Sequence, residues 1–93
     1  MIVTVVARVP STGVRAFAEY EDAVLPLLSD HAAAVERRLR NADGTMEIQV
    51  LDFPHRAAYD AFLRDPRRVS RRFLLEASGA KIEIHVDLDD VPA

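Results

Sequence analysis

The side chains best suited to moving a proton near neutral pH are three histidines, His31, His55 and His85, because an unperturbed imidazole titrates in that range. His85 stands in "KIEIHVDL", with Glu83 and Asp87 two residues away on either side. On a strand this spacing puts three ionisable groups on one face, where carboxylates could orient and charge an imidazole. The same pattern describes a solvated edge strand guarded by charge. One imidazole and two carboxylates on a flat strand need further ligands from elsewhere to hold a metal, and no metal site is expected. His31 ends the apolar stripe of a helix near a cavity edge. It either serves a site there or caps the last carbonyls, a position the helix dipole favours. His55 stands at a helix entrance, where serine would cap better. His85 and His31 are therefore the candidate catalytic residues.

Charged residues supply the second kind of chemistry. Arg8, Arg38, Arg40, Glu36, Glu47 and Gln49 could line a pocket and hold a carboxylate or an enolate, or could only fix the pairing of two subunits. Of these, Glu47, Gln49, Arg38 and Arg8 are the candidate substrate-binding residues. Arg64, Arg67, Arg68, Arg71 and Arg72 cluster in a later helical piece. They could hold a phosphate or an acidic partner, or form a solvated face balanced by Asp60, Asp65 and the acidic tail.

The totals narrow the classes. Ninety-three residues with 49% hydrophobic and 29% charged content make one small globular domain, 1–93. Eleven of the twelve basic residues are arginine, yet the formal charge is −3, which gives no general attraction to nucleic acid. There is no glycine-rich loop and no aromatic interleaving, so nucleotide and single-strand binding have no support. The absence of cysteine excludes disulfides, thiolate ligands and cysteine nucleophiles. No cofactor is implied. No apolar run approaches the ~18 residues of a membrane span, "MIVTVVARVP" lacks a basic leader region, and a cytoplasmic location is the default.

These residues are positioned by a regular alternation of elements. The first strand is Ile2–Val9. "PSTG" breaks it, with Ser11 or Thr12 as a helix cap. A helix from about Gly13 to about Asp30 places Phe17, Tyr20, Val24, Leu27, Leu28 and His31 on one stripe, and Pro26 predicts a kink or break near Asp22. "AVERRLR", the turn "NADG" and "TMEIQVLDF" read as a β-hairpin. Pro54 ends that strand and "HRAAYDAFLR" forms a short helix. Asp65-Pro66 restarts a second helical piece, which Gly79 terminates in a left-handed conformation. "KIEIHVDL" is the last strand.

The order strand, helix, strand, strand, helix, strand is the split βαβ arrangement. It predicts a ferredoxin-like α+β fold: a four-stranded antiparallel sheet in the order 4-1-3-2 with both helices on one face. Alternation assigns Val3, Val5, Ala7, Val9, Val35, Leu39, Met46, Ile48, Val50, Ile82, Ile84 and Val86 to the covered face. The open face then carries Ile2, Thr4, Val6, Arg8, Glu47, Gln49, Leu51, Phe53, Glu36, Arg38, Arg40, Glu83, His85 and Asp87. Ile2, Val6, Leu51 and Phe53 together on an open face predict that a second copy packs there, so the expected partner is another copy of this chain.

The stretches "FAEYEDAVLPLLSDH", "RRLRNADGTMEIQVLDFP" and "AYDAFLRDPRR" carry a resemblance across nearly the whole chain. The sequence resembles small uncharacterised bacterial members of the dimeric α+β barrel superfamily, the antibiotic-biosynthesis-monooxygenase-like proteins. The resemblance implies ferredoxin-like subunits paired sheet to sheet, and a cavity beside the sheet that binds a small organic molecule. Relatives of this kind include cofactor-independent monooxygenases and isomerases, and also proteins with no known activity. The alternative is a non-catalytic structural or regulatory dimer acting through protein contacts.

Overall fold

The computed structural model describes all 93 residues, Met1–Ala93. Strand β1 (Ile2–Arg8) leads through a single 3-10 turn (Ser11–Gly13) into helix α1 (Val14–Val24), and a 3-10 segment (Leu25–His31) follows. Strands β2 (Ala34–Arg40) and β3 (Met46–Asp52) form the hairpin. Helices α2 (Arg56–Arg64), α3 (Pro66–Val69) and α4 (Arg72–Ser78) precede strand β4 (Lys81–Val86). The sheet is four-stranded and antiparallel in the order β2-β3-β1-β4. This is the expected ferredoxin-like α+β arrangement.

Local chemistry explains most boundaries. Pro26 cannot donate to the helix ladder, and the chain changes from α1 to the tighter 3-10 winding just before it. The expected break therefore takes the form of a new segment. Ala32 closes that segment in a left-handed conformation, φ 55°. Neither Ser11 nor Thr12 caps α1 with its side chain. His55 does cap α2: its Nδ1 accepts from the Ala58 N–H at 3.2 Å. Asp65 caps α3 by accepting from the Arg67 N–H at 2.9 Å, and Gly79 ends α4 at φ 69°.

The assignment of β3 to the two faces is a correction. Val3 pairs with Leu51, Val5 with Gln49 and Ala7 with Glu47, and directly paired residues share a face. Glu47, Gln49, Leu51 and Phe53 are thus on the helix-covered face, all buried. Met46, Ile48 and Val50 lie on the open face with Ile2, Thr4 and Val6. Since the side-chain period of a strand is two, a one-residue choice moves the whole set. β2 needs a second correction. A register shift between Val35 and Arg37 makes Glu36 the extra residue. Val35, Arg38 and Arg40 pair with Leu51, Gln49 and Glu47, while Leu39 pairs with Ile48 on the open face.

The core lies between the covered face and the helices. Val3, Leu51 and Phe53 of the sheet region meet Tyr20, Val24, Leu28, Tyr59 and Phe62. Phe53 packs edge-on against Tyr59 with ring centres 5.1 Å apart. The molecule is only 16 Å thick along its shortest axis, because nothing in this chain covers the outer face of the sheet. The helices also stop short of β4, leaving Ile82, Ile84 and Val86 on the inner side of that edge half exposed.

Gly13 sits where the α1 start crosses the α4 end. A β-carbon there would lie 1.8 Å from the Ser78 carbonyl oxygen, so one of the two backbones must move. Gly13→Ala is expected to destabilise the fold by about 1–3 kcal/mol or more, read as a lower urea midpoint. An unchanged midpoint would show that this crossing is loose.

A buried carboxyl pair beside an apolar cavity

Two carboxylates and an amide share the covered side of the sheet. Gln49 Nε2 donates to Glu21 Oε2 at 2.7 Å and also to Glu47 Oε2. Glu47 is clamped from the sheet edge: Arg38 Nε donates to its Oε2 at 2.9 Å, and Arg40 Nε to its Oε1 at 2.8 Å. The bulge at Glu36 makes this possible, since it turns Arg38 and Arg40 to the face that holds Glu47. Glu21 comes from the buried stripe of α1, next to Tyr20.

The two carboxyls differ in charge state because their surroundings differ. Burial pushes Glu47 up, but hydrogen bonds from Arg38, Gln49 and Arg40 outweigh it and hold the group below the usual carboxylate range. Glu21 has no such clamp. Burial raises it to about 7; the Gln49 hydrogen bond opposes this and the Glu47 charge adds to it. Glu47 is thus a fixed anion, and Glu21 exchanges a proton near neutrality.

Glu21 and Gln49 line an open-mouthed cavity of about 80 Å³. Val5, Leu51, Ile82 and Ile84 of the sheet form its floor, and Val24, Leu25, Phe62, Leu63 and Leu75 its helical walls. Tyr20, Tyr59 and Arg68 add polar tips. The volume is several times the roughly 10–15 Å³ a single water occupies, and the lining is mainly hydrophobic with few polar groups, as in small-molecule sites.

The residues expected to form a site are divided by the fold. Glu47, Gln49 and Arg38 come together, on the covered face and not the open one. Arg8 is exposed on the open face, away from them. His85 is also on the open face, opposite Thr4, with Nε2 3.0 Å from Glu83 Oε2. Asp87 is engaged elsewhere: its Oδ1 accepts from the Ile2 N–H at 2.9 Å. His31 contacts Asp65, Nε2 to Oδ2 at 2.8 Å, and meets the Phe62 ring edge-on. Asp65 is held well below the usual carboxylate range by hydrogen bonds from Arg67 and His31. Arg67 also reaches Asp30 at 2.9 Å, so this cluster ties the end of the 3-10 segment to the α2–α3 junction. Neither histidine lines the cavity. No three histidine, aspartate or glutamate side chains converge as a metal site would require. Leu51 and Phe53, expected at an outer contact, are in the core. Glu21 was not a sequence candidate. Its signal was its place one residue after Tyr20, at the edge of the apolar stripe of α1.

No family model and no curated protein matches the chain. Solved structures do. Rv0793 from Mycobacterium tuberculosis superposes with a TM-score of 0.69 at 17% identity, covering 99% of this chain and 100% of that one. A protein of Nitrosomonas europaea, provisionally assigned as an antibiotic biosynthesis monooxygenase, gives 0.68 at 21% identity over 96% and 100% of the two chains. Another antibiotic biosynthesis monooxygenase gives 0.68 at 12% identity over 99% and 100%. These structures share the ferredoxin-like α+β backbone of this chain. At these identities the likeness describes the backbone and leaves the chemistry to the site itself. No helix is long and apolar enough to cross a membrane.

The Glu21 carboxyl gives stability a characteristic pH dependence. Its folded value lies above the 4.5 of the free group, so its contribution is fully present below about 4.5 and is lost as pH rises through about 7. A Glu21→Gln variant should therefore gain on wild type between those values, by up to about 3 kcal/mol. Paired urea melts from pH 4 to 8 measure the difference. A difference independent of pH would mean that Glu21 is an ordinary solvated carboxyl.

Proposed function

We propose that the protein is a homodimeric small-molecule-binding domain whose cavity between sheet and helices takes an apolar organic compound, with Glu21 as the group that exchanges a proton with it. The observation that carries this reading is a carboxyl poised near neutrality at the wall of an otherwise apolar, open cavity. A general acid or base works best when its pKa is close to the working pH. As carboxylate, Glu21 takes a proton from an activated C–H or O–H, and the electron pair stays on the compound as an enolate or phenolate. Returning the proton at another carbon completes an isomerisation. Alternatively, dioxygen converts an activated methylene to a carbonyl, leaving one oxygen atom in the product and the other in water with the two hydrogens. Both reactions begin with the step that Glu21 can perform. The names of several structural relatives point to the second.

Dimerisation is the other half of the reading. Val6, Ile48 and Val50 occupy the middle of the open face, with Ile2 beside them and Arg8, Lys81, Glu83 and His85 towards the β4 edge. An apolar centre with a charged border is the composition of a protein contact, and a domain of this size gains stability by covering such a face. The non-catalytic alternative needs this face only and gives the poised carboxyl no task.

Two outcomes are expected. Ile48→Arg places a charge in the centre of the contact and should convert a dimer to a monomer in sedimentation; a wild-type monomer at high concentration removes the dimer. Glu21→Gln should bind cavity ligands but lose turnover of any substrate found, by about 10²-fold or more. Full turnover in that variant would remove Glu21 from the chemistry.

A further inference from the structure

Arg68 stands in the short helix α3 and has an unusual place for a guanidinium. It lines the apolar cavity, is only partly exposed, and no carboxylate lies within ion-pair distance of it, although its neighbour Arg67 holds two. Its protein contacts are one donation from Nη1 to the Leu63 carbonyl at 3.2 Å and the face of Phe62, 5.5 Å from the ring centre. One carbonyl and one ring leave most of its five N–H donors without a protein partner. They also fix its position: the side chain is stacked on a core aromatic and not free in solvent. Its charge is felt inside the site, where it opposes the burial that raises the Tyr20 hydroxyl.

We propose that Arg68 is the anion anchor of the cavity, and that the ligand is a small organic acid. Its carboxylate pairs with the guanidinium at the mouth, and its one-ring or short branched apolar body lies between Val5, Leu75 and Ile84. This rests on the cavity being a ligand site and adds the class of ligand. A planar guanidinium with open donors is the side chain that best matches a carboxylate, and the pairing is strengthened where apolar walls exclude water. The cavity has room for such a body among apolar side chains.

The acid also answers to Glu21. That group faces Gln49 and Glu47 from β3 and Arg38 and Arg40 from β2, with Tyr20 beside it on α1, and Tyr59 and Arg68 line the same cavity. A second anion in the same cavity favours its protonated form. The acid should thus bind with proton uptake, and its affinity should fall as pH rises through about 7.

The experiment titrates the whole chain with benzoate and cyclohexanecarboxylate against their primary amides, in a buffer free of carboxylates. Calorimetry gives the affinity, and NMR follows the methyl groups of Val5, Leu75 and Ile84. The acids should bind about tenfold or more tightly than the amides. Arg68→Gln should abolish the difference, Arg68→Lys should keep part of it, and Glu21→Gln should flatten the pH dependence. Acid and amide binding equally in wild type, with the methyl groups responding to both, overturns the anchor and leaves the cavity as a ligand site. Methyl groups that respond to none of the four compounds at millimolar concentration overturn both readings. An acid preference that survives in Arg68→Gln, or that ignores pH, also overturns the anchor. If Arg68→Gln fails to fold by circular dichroism, the acid-to-amide ratio and its pH dependence in wild type decide the matter.

Discussion

The carboxylate of Glu47 is only 1% exposed, and the way its charge is satisfied governs which way the sheet faces. A buried anion without partners costs several kcal/mol. Here Arg38 and Arg40 reach in from the edge strand and Gln49 closes the remaining side. With that satisfied, Leu51 and Phe53 follow on the same face and fill the space beneath the helices. The opposite choice would bury Met46, Ile48 and Val50 and leave Phe53 in water. One aromatic ring, one leucine and a paired carboxylate outweigh three medium-sized apolar side chains.

This balance explains what the sequence could and could not say. Element order, the break at Pro26, the stop at Gly79 and the antiparallel strand order were readable from proline, glycine and periodicity. The faces of β1 and β4 were readable too, since Thr4 and Arg8 mark the open set of β1 and Lys81, Glu83 and His85 that of β4. In β3 both alternating sets contain apolar residues, and hydropathy favours the wrong one. Deciding between them needs the partners of Glu47, which come from a strand whose phase is shifted by a bulge at Glu36. Nothing in "AVERRLR" announces that bulge. Three of the four polar candidates, Glu47, Gln49 and Arg38, were therefore grouped correctly but placed on the wrong side of the sheet. The histidines were favoured by their intrinsic pKa, whereas the group that titrates near neutrality in the cavity is a glutamate displaced there by burial.

Glu21 and Glu47 show how one amide can serve two carboxyls in different states. Gln49 donates to both, so both are acceptors, but only Glu47 also accepts hydrogen bonds from cations. Two adjacent carboxyls pushed in opposite directions are the usual mark of an acid–base division of labour. A purely structural network would be expected to pair both or to replace the unpaired one with an apolar residue, because the fold gains nothing from a carboxyl whose ionisation it opposes. Burying Glu21 costs stability at neutral pH, and the packing around it does not offset that cost.

The shape of the subunit bears on the same cavity. Its floor ends at β4, where Ile82 and Ile84 line the space and are still half exposed. The cavity mouth is therefore on the edge-strand side, where the helical layer stops short. The open face of the sheet lies on the other side of β4, so a second copy packed there would stiffen the floor without closing the mouth. Assembly and access to Glu21 are then separate properties of the same thin sheet. Substitutions on the two faces should act independently: those at Val6 or Ile48 on association, and those at Glu21 or Arg68 on what the cavity holds.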